Sequence, residues 1–409
     1  MNITLRLAWR NLWRHKRRTW LTVGAMIFCN VLMVFLISLQ LGSYTMMIEN
    51  TLNASTGHIQ VQHQGYLDDQ KMRQTVPGVS QLANSLRGRY GLQAVAARAS
   101  AFALASSEER SFGIQVSGVQ PEFETQVSTF PGLVKSGRYL QGSEASEVVI
   151  GAVLAENLKV KLGDEITLLG SGLDGSFAAA VATVVGIVET GIDPVDRSVA
   201  QVPLAWFQEV FAMGDHGHAV VIQVADLDLV PAALQQVQAH IESEANLVAL
   251  DWDTLLPGLQ QAIASDMTSA WFMYGVLILL VAFSVLNTQL MSVLERTREF
   301  GVMLALGMAP GKLARLVGIE TLLMAILGLT VGVLLGAMVA WYFNVFGFYY
   351  PGMDEMAARF NLPGRMYPEI SFLSLFWGPG TVFLGVLFAA IYPAMRLYQL
   401  QPVDAMRAV

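Results

Sequence analysis

TWLTVGAMIFCNVLMVFLISLQLGSYTMMI, residues 19–48, runs for 30 positions without an Asp, Glu, Lys or Arg. A helix crosses about 30 Å of hydrocarbon with roughly 20 apolar residues, so this stretch is long enough to span a bilayer. Positions 267–294 and 370–395 are equally free of these charges, and 316–353 carries only Glu320. Spans are therefore expected at 19–45, 267–294, 315–342 and 371–395. The first exceeds the core of about 7–15 residues found in a secretory signal. Near Ser38-Leu39-Gln40 there is no pair of small residues to cleave after, so a retained anchor is expected.

The composition points the same way. Of 409 residues, 54% are hydrophobic and 14% charged, where a soluble domain carries about a quarter charged. The net charge of −7 argues against the basic surface that a nucleic-acid binder needs. Cys29 is the one cysteine, so neither an internal disulfide nor a Cys-based zinc site can form. Met26-Ile27-Phe28 before it lacks the small residues of a lipoprotein cleavage box, leaving a lipid-facing or helix-packing thiol.

Basic residues in short flanks orient the spans. Positions 1–18 hold Arg6, Arg10, Arg14, Lys16, Arg17 and Arg18 and no acid, and 295–315 holds Arg296, Arg298, Lys312 and Arg315. Positions 46–266 instead hold 11 basic beside 25 acidic residues. Segments 1–18, 295–314 and 396–409 are thus expected in the cytoplasm, with 46–266 and 343–370 outside. The fold class that follows is an α+β membrane protein. Four transmembrane helices stand in a one-plus-three order around a large extracytoplasmic α+β domain with its stalks.

Within 46–266, His58-Ile59-Gln60-Val61-Gln62 alternates as a strand does. Strands around 92–106 and 112–119 flank the polar turn Ser107-Glu108-Glu109-Arg110, and 164–169 pairs with 180–188 across a Gly/Ser-rich turn. Strands at 148–150, 198–203 and 219–224 and helices at 79–89, 151–158, 204–212 and 230–244 complete the pattern. Chemical motifs are sparse. Asp215-His216-Gly217-His218 holds an H-x-H pair without a third ligand, which reads as a solvated turn rather than a metal site. His58 and His63 face opposite sides of a strand. Asp193 and Asp196 flank Pro194, where turn-forming acids are the commoner reading than paired catalytic carboxylates. No nucleophile elbow and no H-E-x-x-H occurs.

The remaining segments are more telling. Residues 3–17 form an amphipathic helix with Leu5, Ala8, Trp9, Leu12 and Trp13 on one side and Arg6, Arg10, Arg14 and Arg17 beside them, suited to the headgroup plane. Val293 to Leu306 reads as a short helix, ended by Gly307 and barred from continuing by Pro310. Phe300, Val302, Met303, Leu304 and Leu306 make its other flank too apolar for water. That flank calls for lipid headgroups or a partner. Gly328, Gly332 and Gly336 stand four apart, a small-residue face for close helix packing. Glu320 is an intramembrane acid, functional by default, yet shallow enough to snorkel or to pair with Arg315.

These segments together resemble the permease subunits of MacB/FtsX-type (type VII) ABC transporters. The family's E-R-x-x-E-[IF]-G-x-x-x-A-L-G stretch is met by Glu295-Arg296-Thr297-Arg298-Glu299-Phe300-Gly301 through Ala305-Leu306-Gly307. Its C-terminal signature is met by Pro393-Ala394 and Pro402-Val403-Asp404-Ala405-Met406-Arg407, and R-N-L-x-R-x-K-R-R by residues 10–18. Gly57-His58-Ile59-Gln60-Val61, Val149-Ile150-Gly151-Ala152 and Thr190-Gly191-Ile192-Asp193-Pro194 look nearest the lipoprotein-releasing LolC/LolE type. Where a carrier-recruiting Lol permease has a long hook, the connection at 170–177 is short.

The resemblance implies a permease subunit of the bacterial inner membrane with both termini cytoplasmic, and no enzyme in this chain. Nothing matches G-x-x-x-x-G-K-[ST]. ATP and Mg are expected in a separate cytoplasmic ABC ATPase dimer, and no cofactor or metal in this chain. The 295–307 segment is expected to transmit motion, and Pro393, Pro402, Ala405 and Arg407 to form the cytoplasmic tail signature. A second permease copy, identical or paralogous, a periplasmic carrier and a lipoprotein or other lipid-linked cargo are the other partners implied. Two alternatives remain open: an FtsX-like mechanotransmitter driving an envelope hydrolase, and MacB-like drug or peptide efflux.

Overall fold

Leu92–Ser106 is the longest described strand, and its alternation organises the domain around it. The computed structural model describes residues 3–14, 16–90, 92–242, 244, 246–353 and 364–399. They fall into two compact units, one built on Met47–Gln261 and the other on the residues before Met47, Ala262–Tyr350 and those from Arg365 onward.

The first unit is a mixed sheet. Its strands are β1 (Ile59–His63), β2 (Leu92–Ser106), β3 (Ser111–Val119), β4 (Val134–Gly137), β5 (Glu147–Gly151), β6 (Glu165–Ser171), β7 (Phe177–Val188), β8 (Val199–Pro203), β9 (Ala219–Val224) and β10 (Leu247–Asp251). They lie in the order β10-β1-β9-β2-β3-β8-β5-β7-β4, with β6 pairing with β2 and β7. The pairs β3–β8 and β5–β7 are parallel. Val95, Ala97, Ala99, Ala101, Ala103 and Ala105 of β2 enter the main core, while Ala94 and Ala96 turn to a second cluster with Val127, Ala219 and Val221. On the neighbouring β3, Gly118 lets helix Leu204–Val210 lie close, since a Cβ there would meet the Phe207 side chain at 2.6 Å. The β6–β7 hairpin runs in register from Glu165↔Thr183 to Ser171↔Phe177. Two short strands, β4 and β10, and the helix Pro121–Val127 escaped the periodicity because each spans too few residues to show a period.

The second unit is helical. Its elements are Ile3–Arg14, most of Lys16–Thr51 and of Pro257–Glu295, Thr297–Ala305, Pro310–Phe346 and Gly378–Arg396, the last preceded by a π-turn at Leu373–Trp377. Four are long and apolar enough to cross a membrane. They run past the apolar stretches because their polar ends keep helical hydrogen bonds in water as well as in lipid. Pro310 opens the third span at its first turn instead of merely ending the helix before it. There its missing N–H has no partner to lose. Cys29 is buried among Met26, Met33, Ile37, Tyr274, Val285, Ala325, Val382 and Val386 and serves helix packing.

Candidate functional site

Around residues 295–307 the chain turns sharply twice. The second span ends at Glu295, Arg296 leaves helical geometry (φ −100°, ψ 12°), and Thr297–Ala305 forms a short helix of its own. Gly307 closes it with φ +88°. The Met308 N–H donates to the Met303 carbonyl and the Gly307 N–H to the Leu304 carbonyl, both at 3.0 Å. This is the paired bonding of a Schellman cap, which needs a left-handed residue.

Arg296 sits at the pivot and is buried. Its Nη1 donates to both carboxylate oxygens of Glu320, at 3.0 and 3.2 Å, and its guanidinium lies 4.9 Å over the Phe300 ring. Asn11 of the amino-terminal helix adds a third bond, its Nδ2 donating to Glu320 Oε1 at 2.7 Å. Glu320 therefore pairs with Arg296 and Asn11, not with Arg315, and stays buried instead of reaching for water. Two exposed pairs flank this one, Arg14–Glu299 at 3.5 Å and Arg18–Glu295 at 3.3 Å. Exposed pairs contribute at most about 1 kcal/mol each, so the buried pair carries more of the local geometry. Removing one partner of such a buried pair costs about 3–5 kcal/mol.

The apolar flank of the short helix divides. Phe300 is fully buried with Val293, Leu313, Val317 and Leu397, and Met303, Leu304 and Met308 pack against that cluster. The expectation that this whole flank needs lipid headgroups or a partner is corrected: Phe300, Met303 and Leu304 are covered by the chain's own helices. Val302 and Leu306 are what remains open, the latter 83% exposed. Arg298 and Ala305 also lie at the surface, and Gly301 is buried.

Behind this site the glycine stripe meets the first span. A Cβ on Gly328, Gly332 or Gly336 would stand 2.6, 2.5 or 2.8 Å from the Cβ of Met26, Asn30 or Val34. Asn30 Nδ2 donates to the Met26 carbonyl and reaches the Gly328 carbonyl at 3.4 Å. Pro393 is buried within the last helix. Pro402, Ala405 and Arg407 lie outside the described residues.

Elsewhere the polar candidates are occupied structurally. His218 Nδ1 accepts the Ser100 N–H at 3.0 Å, Nε2 donates to the Met72 carbonyl, and the ring stacks on Tyr66. Burial pushes this histidine down to about 4. His216 turns to the Met213 carbonyl. Asp196 is buried and accepts from the Thr190 N–H and hydroxyl, which makes 190–196 a closed turn. Among the described residues no group of three His, Cys, Asp or Glu side chains is placed to hold a metal.

Two features escaped the sequence reading. One is the part played by Asn11, which no motif distinguishes from a solvated amide. The other is a hydrogen-bonded knot joining the first and second spans: Tyr44 donates to Asp266 and Tyr274 to Gln40, both at 2.6 Å. The spacing of Gln40 and Tyr44, four apart on one helix face, was the available signal.

Residues 19–240 match the profile of the MacB-like periplasmic core domain, and residues 271–402 that of the FtsX-like permease C-terminal region. The chain is 23% identical over 356 residues to the lipoprotein-releasing system transmembrane protein LolC of Neisseria meningitidis, covering 84% of this chain and 83% of that one. It is 24% identical over 415 residues to the macrolide export ATP-binding/permease protein MacB of Campylobacter jejuni, covering 98% of this chain and 60% of that one. The periplasmic region of MacB from Actinobacillus actinomycetemcomitans superposes with a TM-score of 0.38 at 14% identity, over 52% of this chain and 96% of that one.

Proposed function

This chain belongs to the MacB/FtsX-like family of ABC transporter permeases, and on that premise we propose that it couples ATP hydrolysis by a separate cytoplasmic ATPase dimer to motion of its extracytoplasmic domain. It sits in a bacterial inner membrane with both termini in the cytoplasm and pairs with a second permease. ATP and Mg belong to the ATPase. The cargo is a lipoprotein or another lipid-linked molecule, a choice supported by the likeness to LolC and by four apolar spans that suit a route open to lipid.

One observation carries the reading. Thr297–Ala305 is held from behind by the buried Phe300 ring and by Arg296, whose partner Glu320 also accepts from Asn11, while Val302 and the Leu306 that follows the helix face outward. A helix fastened on one side and apolar on the other can receive a push and pass it to the spans. The coupling set Glu295, Arg296, Arg298, Glu299, Phe300, Gly301, Ala305, Leu306 and Gly307 thus splits into anchoring and contacting members.

The test is co-purification with the ATPase after Val302→Asp and Leu306→Asp. Binding is expected to fall at least tenfold, a loss of about 1.4 kcal/mol, with the thermal midpoint unchanged. Undiminished binding would overturn the assignment of the contact. Cargo is read separately, by depleting the protein and following lipoprotein location, cell separation and drug sensitivity.

A further inference from the structure

At about 100° per residue, the amino-terminal helix Ile3–Arg14 carries four successive stripes. Ala8 and Leu12 are buried, and Leu12 packs with Val23 and Met324. Asn11 and Arg14 are committed to Glu320 and Glu299. The other two stripes face outward. Trp9 and Trp13 form an exposed row that continues at Trp20 of the following helix, edge to face at 6.0 and 6.4 Å. Beside them Arg6 and Arg10, and Arg17 at the start of the following helix, are exposed, and none takes part in the salt bridges formed among the described residues. The indole row runs on into the exposed apolar surface of the first span at Leu21 and Phe28.

We propose that these two outward stripes are a docking surface for anionic phospholipid headgroups, and that lipid charge thereby sets the pose of the helix that clamps Glu320 and Glu299. The chemistry selects that occupant. Indoles settle at the headgroup level, where an apolar body and a polar N–H are both satisfied. Guanidinium forks match phosphate oxygens. Continuity with the apolar surface of the first span favours a bilayer over a soluble acidic protein. Each arginine near a negatively charged leaflet shifts the docked-to-free ratio about fivefold. This inference uses only the membrane location and stands apart from the ATPase assignment.

The full chain, with Cys29→Ser and a single reporter cysteine at Leu5, is labelled with an environment-sensitive fluorophore and placed in nanodiscs. One set contains phosphatidylcholine alone and the other a phosphatidylcholine/phosphatidylglycerol mixture, each with brominated acyl chains as quencher. Quenching is expected to be several-fold stronger with phosphatidylglycerol. It should weaken when ionic strength rises from about 0.1 to about 1 M, which shortens the screening length from ~10 to ~3 Å. R6Q/R10Q/R17Q should lose the lipid dependence and R6K/R10K/R17K keep most of it. Equal quenching in both lipids, or an unaltered triple glutamine variant, overturns the proposal. So does docking that ignores lipid charge and appears only when the ATPase is added, which would assign the basic stripe to that protein.

Discussion

Glu320 of the third span and Arg296 at the end of the second form an ion pair in which both residues are more than nine-tenths buried. With Asn11 on the same carboxylate, one acid ties together three segments that are distant in sequence. Neither charge can leave without stranding the other in a poorly solvating interior. Glu320→Ala is expected to lower unfolding stability in detergent by about 3–5 kcal/mol. The paired change Arg296→Met with Glu320→Leu should recover most of that loss. A double-mutant cycle followed by thermal unfolding checks it, and simple additivity of the two changes would refute the pairing.

The glycine stripe gives a steric prediction. Gly332→Val puts a branched side chain where a Cβ already stands 2.5 Å from the Cβ of Asn30. The cost is expected at about 1–3 kcal/mol, measured as a fall in thermal midpoint. The same substitution at Gly275, where a Cβ would meet nothing within 4 Å, should leave the midpoint nearly unchanged.

Gly307 is held at φ +88° by the cap that ends the short helix. Gly307→Ala meets no neighbour there, so its cost is conformational, about 1–2 kcal/mol. Loosening this end should raise protease sensitivity between residues 305 and 309 more than it lowers global stability. Limited proteolysis with mass readout distinguishes the two effects.

His218 predicts a pH dependence for the strand domain. Its ring is neutral when folded, because Nδ1 is already accepting a backbone N–H and burial holds the value near 4. Above about 6.5 both folded and unfolded chains carry the neutral ring, and its contribution is complete. As pH falls below 6.5 the unfolded chain takes up the proton first, so stability drains away between about 6.5 and 4, by about 3 kcal/mol in full. His218→Gln should flatten that part of the curve in denaturant unfolding between pH 4 and pH 7. An unchanged slope would place the titration elsewhere.

The legible features were those written in neighbouring residues. Charge-free runs mark the spans because hydrocarbon excludes charge, and Gly328, Gly332 and Gly336 align on one face because a helix repeats every 3.6 residues. What the stripe packs against was not legible, since Met26, Asn30 and Val34 belong to another span. For Glu320, the nearby Arg315 was the natural partner by spacing. Its actual partners lie 24 and 309 positions away, beyond any local pattern. The flank from Phe300 to Leu306 appeared uniformly apolar in sequence, yet Phe300 is sealed by Val293, Leu313, Val317 and Leu397 while Leu306 is bare.

By itself the chain's order of residues determined that four apolar helices bracket a strand-rich domain and that a short amphipathic helix, capped at Gly307, follows the second. Those outcomes depend on solvation and helical periodicity, both local. Only the tertiary structure decided that Asn11, Arg296 and Glu320 meet, because a buried charge is stable only where packing brings its counter-charge, and packing joins segments without regard to their distance along the chain.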